Sequence, residues 1–155
     1  MRAVVIRVSR AALTADGASR GEMGKGLLVL LGVGGSDTRR EATYLAEKCA
    51  ALRIFEDENG KMNKSLADVG GSMMVVSNFT LYADCSRGRR PDFFHAAKPD
   101  IAVPLYEFFL EEIRRLQVPC ISGVFGADMQ IDHVNDGPVT LIMDTDQMLG
   151  KGNAQ

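Results

Sequence analysis

The chain has 155 residues, 46% of them hydrophobic and 25% charged, a size and balance that fit one globular domain with a core of its own. Lys and Arg number 18 against 20 Asp and Glu, a formal net charge of −2, which argues against broad electrostatic wrapping of nucleic acid while leaving room for a local basic patch. Three widely spaced cysteines (Cys49, Cys85 and Cys120) form no C-x-x-C pair, so neither a disulfide framework nor a zinc site is indicated and a reducing cytoplasm is expected.

In chain order, Ala3 to Val8 is rich in Val and Ile and reads as a strand. The start carries no secretory signal, because its apolar run is short and is broken by Arg7 and Arg10. Ala11 to Ala15 is a second extended segment. Asp16-Gly17 supplies a hairpin turn, and Ala18 to Met23 returns as the partner strand. Gly26 to Val33 is the most apolar segment and should be central in a sheet. Its apolar core, Leu27 to Leu31, is far too short to span a bilayer.

After Gly34-Gly35, Thr38 and Glu41 fit a capping box at a helix start, followed by Ala42, Leu45, Ala46, Cys49 and Leu52 at helical spacing. Cys49 on that stripe reads as core packing. Asn59-Gly60 marks a turn, and Met73 to Ser77 is a further strand. Pro99-Asp100 opens a second long helix whose buried face is Leu105, Phe108, Phe109, Ile113 and Leu116, and Val118-Pro119 ends it. Extended segments come next at Cys120 to Val124, Met129 to Val134 and Val139 to Asp144. The order strands, helix, strand, helix, strands predicts an α/β fold of mixed and antiparallel sheets with the two main helices on one side. Residues 1–145 are expected to form the single domain and residues 146–155 a polar, fraying tail.

Three runs are chemically suggestive. Ser77-Asn78-Phe79-Thr80 ends a strand, where hydroxyls and backbone amides either face a ligand or merely cap a turn. Arg87, Arg89 and Arg90 lie close together in a predicted loop, and guanidinium forks suit phosphate oxygens. Asn135-Asp136-Gly137-Pro138-Val139-Thr140 contains a Gly-Pro turn, and X-Pro bonds are where cis peptides occur. The chain has no H-E-x-x-H, P-loop or G-x-G-x-x-G. His95 and His133 belong to no visible triad or metal motif. On these residues alone two rivals stand: a non-catalytic nucleic-acid-binding module using the arginines, and a cysteine hydrolase pairing Cys85 with His95.

Taken together and in order, these runs resemble the D-aminoacyl-tRNA deacylase family. The likeness extends over nearly the whole chain, including Met1-Arg2-Ala3-Val4-Val5, Gly24 to Val33, Leu52-Arg53-Ile54-Phe55 and Phe125-Gly126-Ala127-Asp128-Met129. The resemblance implies a three-layer α/β/β fold and a cytoplasmic, membrane-free enzyme. It implies hydrolysis of the ester of D-aminoacyl-tRNA, and of mischarged glycyl-tRNA, as chiral proofreading in translation, without metal or other cofactor.

A homodimer is implied as well, with the active site at the subunit interface: the catalytic run Ser77, Asn78, Phe79 and Thr80 on one subunit meets a Gly-cis-Pro motif from the other. Gly137 and Pro138, supported by Arg7, Val139 and Thr140, would select chirality, and Arg87, Arg89 and Arg90 would contact tRNA. The family usually carries Gln where this chain has Asn78, and Gln before the bracing arginine, where this chain has Ile6. Because an aminoacyl ester is already reactive, positioning and oxyanion stabilisation by the Phe79 and Thr80 amides would suffice. A Thr80 nucleophile is the weaker alternative, since no base in the sequence serves it.

Overall fold

A computed structural model describes residues 1–150. The strands are β1 (Arg2–Ala15), β2 (Ala18–Met23), β3 (Gly26–Gly32), β4 (Phe55–Glu56), β5 (Met62–Lys64), β6 (Ser72–Ser77), β7 (Cys120–Ser122) and β8 (Met129–Asp144). The helices are α1 (Arg39–Ala51), α2 (Pro99–Arg115) and the single turn α3 (Thr145–Met148), with a 3-10 turn at Phe79–Tyr82.

One mixed sheet runs in the order β2-β1-β3-β6-β7, and β8 lies antiparallel along β1. β1 pairs antiparallel with β2 and β3, whereas β3–β6 and β6–β7 are parallel. Strand alternation sends side chains to two cores. Ala3, Val5, Leu27, Val29, Leu31, Met73 and Val75 face α1 and α2, packing on Ala42, Leu45, Cys49, Phe109 and Ile113. Ile6, Val8, Ala11, Leu13, Leu28, Met74 and Val76 fill the opposite face, where the outer parts of β1 and β8 curl over. Helices, sheet and curled sheet are thus the three layers, with α1 and α2 on one side.

Local chemistry accounts for the element boundaries. Thr38 caps α1 by accepting from the Arg40 amide, while the Glu41 carboxylate accepts from the Thr38 amide at 2.8 Å. Gly26 sits so close to β6 that a Cβ there would lie 1.9 Å from the Ser72 carbonyl oxygen. At the far end of β3, the buried Asp37 accepts from the Gly34 amide at 2.6 Å and from the Met1 ammonium at 2.5 Å.

Several expectations change. Ala3–Val8 and Ala11–Ala15 are one strand, because Ser9 and Arg10 face solvent within a continuous, bulged ladder to β8. Likewise Met129–Val134 and Val139–Asp144 are one strand, β8, that runs through the Gly-Pro turn. The turn at Asn59-Gly60 joins two short strands, β4 and β5. The helical turn Thr145–Met148, capped by the Asp144 carboxylate, begins at the last residue of the expected domain, the fully buried Thr145, and carries regular structure into the start of the expected tail. Residues 151–155 of that tail lie outside the described residues.

Candidate active site

Strand β6 ends at Ser77, opposite Leu31 of β3. The Asn78 amide donates to the Leu31 carbonyl at 2.8 Å, fixing where the chain leaves the sheet, and the 3-10 turn starts at Phe79. The Phe79 and Thr80 amides open that turn, so no earlier carbonyl within it can receive them. The Asn78 side chain makes no capping bond to them. Its Oδ1 instead accepts from the Thr80 hydroxyl at 2.5 Å. That hydroxyl therefore gives its proton to an amide oxygen, which cannot act as a general base.

The turn is held from behind. The Gly32 Cα packs against it: a Cβ there would lie 3.1 Å from the Asn78 carbonyl oxygen and from Leu81. Arg2 stacks its guanidinium over the Tyr82 ring at 4.4 Å and donates to the Leu81 carbonyl at 3.1 Å. In front of the turn lies a largely apolar cavity of about 220 Å³, bordered by Leu31, Val33, Phe79, Ala97, Phe125 and Met129. Ser77 and Asn78 are on its wall.

The second constellation surrounds Gly137-Pro138, whose peptide bond is cis. Both residues are exposed, while Val139 beside them is buried. Arg7 lies beneath, only 5% exposed; it donates to the Asp136 carbonyl at 3.0 Å and to the Ile54 carbonyl at 2.7 Å. The Asp136 carboxylate, 3.6 Å from the guanidinium, balances its charge. Gly137 has φ +129, and a Cβ there would come within 3.0 Å of Arg7 Nη2 and 2.9 Å of Val139 Cγ2, so only glycine fits. Asn135 ties the two arms of the turn together, donating to the Thr140 hydroxyl at 2.8 Å and accepting from the Val139 amide at 3.2 Å. The sequence marks out this run without assigning Asn135 a task.

The two constellations do not meet within one chain. Pro138 lies level with Arg7 on β1, whereas Ser77 lies level with Ala3, with β1 and β3 between β8 and β6. Four residues along a strand and three strand spacings across put them roughly 20 Å apart. Arg87, Arg89 and Arg90 form the exposed tip of a loop pinched by the reciprocal Asp84–Asp92 backbone bridge. Phe93 of that loop meets the Phe79 ring edge-on at 5.0 Å, so the basic tip is anchored to the 3-10 turn.

Of the remaining candidates, Cys49 is fully buried and its thiol is pushed up to about 12 by burial. Burial likewise pushes Cys120 up to about 11. Cys85 is exposed, and the His95 ring contacts Phe94 rather than Cys85. His133, on β8, pairs with Ala11 of β1. Among the described residues no three His, Cys, Asp or Glu side chains gather to hold a metal, and no helix is long and apolar enough to cross a membrane.

Comparison with known proteins identifies the family of the chain. Residues 4–144 match the family model described as D-Tyr-tRNA(Tyr) deacylase. A D-aminoacyl-tRNA deacylase of Roseiflexus castenholzii is 57% identical over 145 residues, covering 94% of this chain and 92% of the relative. One from Thermus aquaticus is 54% identical over 150 residues, covering 97% and 99%. Among solved structures, one titled c-Myc DNA Unwinding Element Binding Protein is 40% identical with a TM-score of 0.86, covering 93% of this chain and 98% of its own. Another, titled as a probable eukaryotic D-amino acid tRNA deacylase, shares the fold at 17% identity and a TM-score of 0.78, covering 92% and 98%.

Proposed function

The chain belongs to the D-Tyr-tRNA(Tyr) deacylase family, and from that premise we propose how its separated constellations act on their substrate. The enzyme hydrolyses the ester of D-aminoacyl-tRNA, releasing the D-amino acid and free tRNA. The terminal adenosine ester enters the cavity before the 3-10 turn. The Phe79 and Thr80 amides receive the carbonyl oxygen as it gains charge, in a largely apolar pocket where such bonds are strengthened. Water adds to the carbonyl carbon, the tetrahedral adduct collapses, and the ribose oxygen leaves with a proton. Thr80 is not the nucleophile in this reading, because the group that accepts its hydroxyl proton, the Asn78 amide oxygen, cannot act as a base.

Chirality is read by a second copy of the chain. Its Gly137 and Pro138 carbonyls receive the substrate ammonium, with Arg7, Val139 and Thr140 holding the turn in place. With ammonium, carbonyl and ribose fixed, an L side chain collides where a D side chain points outward. Glycine has no side chain to collide, so glycyl-tRNA is hydrolysed too. Arg87, Arg89 and Arg90 take backbone phosphates near the tRNA end. The substrate sets the compartment as the cytoplasm, where tRNA is charged.

The observation that carries this reading is the separation of two well-braced constellations by roughly 20 Å in one chain, too far for one aminoacyl group to touch both. The outer edge of β8 supports a homodimer: among the described residues it has no further strand partner, and Ile142 (81% exposed) and Val134 (41%) lie on that strand. The test is release of amino acid from matched D-tyrosyl-tRNA and L-tyrosyl-tRNA with EDTA present, alongside light scattering. Selective loss of the D ester by a species of twice the chain mass is expected. Equal turnover of both esters, or a monomer that discriminates fully, would overturn it.

A further inference from the structure

Behind the 3-10 turn lies a second cavity, of about 350 Å³, which the catalytic reading leaves unused. Its lining includes Arg2, Ser36, Tyr82, Phe94, His95 and Asp146. Three chain segments contribute to both cavities. The β3 exit gives Val33 to the first and Gly34 to the second, the 3-10 turn gives Phe79 and Tyr82, and the loop before α2 gives Ala97 and His95. The bridge between Gly34 and Ala96 and the bond from the Ala97 amide to the Val33 carbonyl (2.9 Å) stitch these segments together. The cavities are therefore neighbours across a shared wall. Phe79 and Tyr82 are one 3-10 turn apart, a rise of about 6 Å, comparable to one step along an extended nucleotide strand.

Phe94 at the mouth of this second cavity is 87% exposed, the most exposed of the large hydrophobic side chains among the described residues. Its ring meets the His95 imidazole edge-to-face, centroids 5.7 Å apart and planes at 84°. The backbone beneath it is fixed: the Phe94 amide donates to the Asp92 carboxylate at 2.6 Å, and Asp92 closes the loop with Asp84. A rigidly mounted aromatic face left in water is the form of a stacking platform. The arginines at the tip of the same loop give the positive field that a nucleotide backbone requires, and Phe93 ties that loop to the catalytic turn. The cavity's own charges are mixed, since Asp146 lies on its wall and Arg2 is paired with Asp144 at 2.9 Å. Phosphates therefore fall to Arg87, Arg89 and Arg90, and the cavity takes a neutral base.

We infer that this second cavity, with Phe94 as its stacking face, holds the unpaired nucleotide that precedes the terminal adenosine of the substrate. The inference rests on the reading that the first cavity takes the terminal aminoacyl nucleoside. Base stacking on an aromatic side chain tolerates any base, so the subsite adds affinity for a single-stranded 3′ end without reading its sequence.

The test compares a D-tyrosyl ester of adenosine with a D-tyrosyl ester of the dinucleotide CpA, for the wild type, Phe94→Ala and Phe94→Trp. The wild type should prefer the dinucleotide by about tenfold in KM, within the range that base stacking on aromatic residues spans. Phe94→Ala should erase that preference and leave turnover of the adenosine ester unchanged, while Phe94→Trp should keep it. Equal losses on both esters in Phe94→Ala would assign Phe94 a structural role and overturn the subsite. So would an unaltered preference, or a change of molecular mass in Phe94→Ala by light scattering, which would mean a second copy covers the ring. Turnover by the wild type of both esters at the same KM would overturn the subsite alone; turnover of neither would also overturn the reading of the first cavity.

Discussion

Replacing Arg7 by lysine probes how the turn proposed to read chirality is held. Arg7 is 5% exposed and gives one donor to the Asp136 carbonyl and another to the Ile54 carbonyl. These groups diverge from one planar guanidinium. A lysine ammonium on a shorter reach keeps the charge yet serves one of them at best. Losing one bond from a charged donor to a largely buried carbonyl costs about 1.5–3 kcal/mol. For a chain of this size that is a fall in Tm of roughly 3–12 °C. The functional consequence is larger than the structural one, because the carbonyl released belongs to Asp136, directly before Gly137. The turn then samples positions in which its carbonyls miss the ammonium. The kcat/KM on D-tyrosyl-tRNA should fall by about 10–100-fold, on the order of 1.4–2.8 kcal/mol of transition-state stabilisation. The ratio of D to L turnover should narrow with it. Arg10→Lys is the control: the Arg10–Asp132 pair has side chains 56% and 72% exposed, so it should change stability by less than about 0.5 kcal/mol. An Arg7→Lys enzyme that melts early but discriminates as well as the wild type would refute the argument, leaving Arg7 a core residue only.

Thr80→Ala should retain activity within about tenfold of the wild type, since only a hydroxyl already bonded to Asn78 is lost and the backbone donor remains; complete loss, or an acyl-enzyme on Thr80 trapped by mass spectrometry, would reinstate the nucleophile. Gly26→Ala should fail to fold or lose more than about 4 kcal/mol in urea unfolding, because the methyl would meet the Ser72 carbonyl and β6 cannot yield without breaking the β3 ladder. Cys49 has its thiol raised from 9.0 to about 12 by burial, so the unfolded chain ionises first. As the pH rises above 9.0, that ionisation draws the equilibrium toward the unfolded chain, and the loss of stability continues until about 12, where the folded thiol ionises too. Urea midpoints at pH 8, 9.5 and 10.5 should fall more steeply for the wild type than for Cys49→Ala, and parallel slopes would contradict the assignment.

Much of the fold is legible where one local rule dominates. The capping box at Thr38 and Glu41, the Asp16-Gly17 turn and the apolar run of β3 each fix an element through neighbours close in sequence. The features hidden from sequence depend on distant partners. Ser9 and Arg10 look like a break in a strand, yet the ladder from β8 carries β1 past them. The 3-10 turn at Phe79 depends on Leu31 catching the Asn78 amide, which no periodicity announces. In the site, Ser77 to Thr80 and Gly137-Pro138 stand out as unusual runs, but their roles come from family resemblance. The grip of Arg7 on Ile54, and the face offered by Phe94, arise from contacts and exposure that only the folded chain displays. The departure at Ile6 has a physical setting: its side chain is 8% exposed in the second core, where an apolar group suits its neighbours.

The central claim is that each catalytic turn works with the Gly137-Pro138 turn of a second copy. Two individually inactive variants test it. Phe79→Pro removes one amide donor at a position where a 3-10 turn tolerates proline, and Gly137→Val blocks the other half of the site. Co-expressed in equal amounts, they should recover about a quarter of wild-type D-tyrosyl-tRNA hydrolysis, because half the dimers then carry one intact composite site of two. No recovery from a mixture shown to contain mixed dimers would mean that each site is built within one chain, and would contradict the shared site.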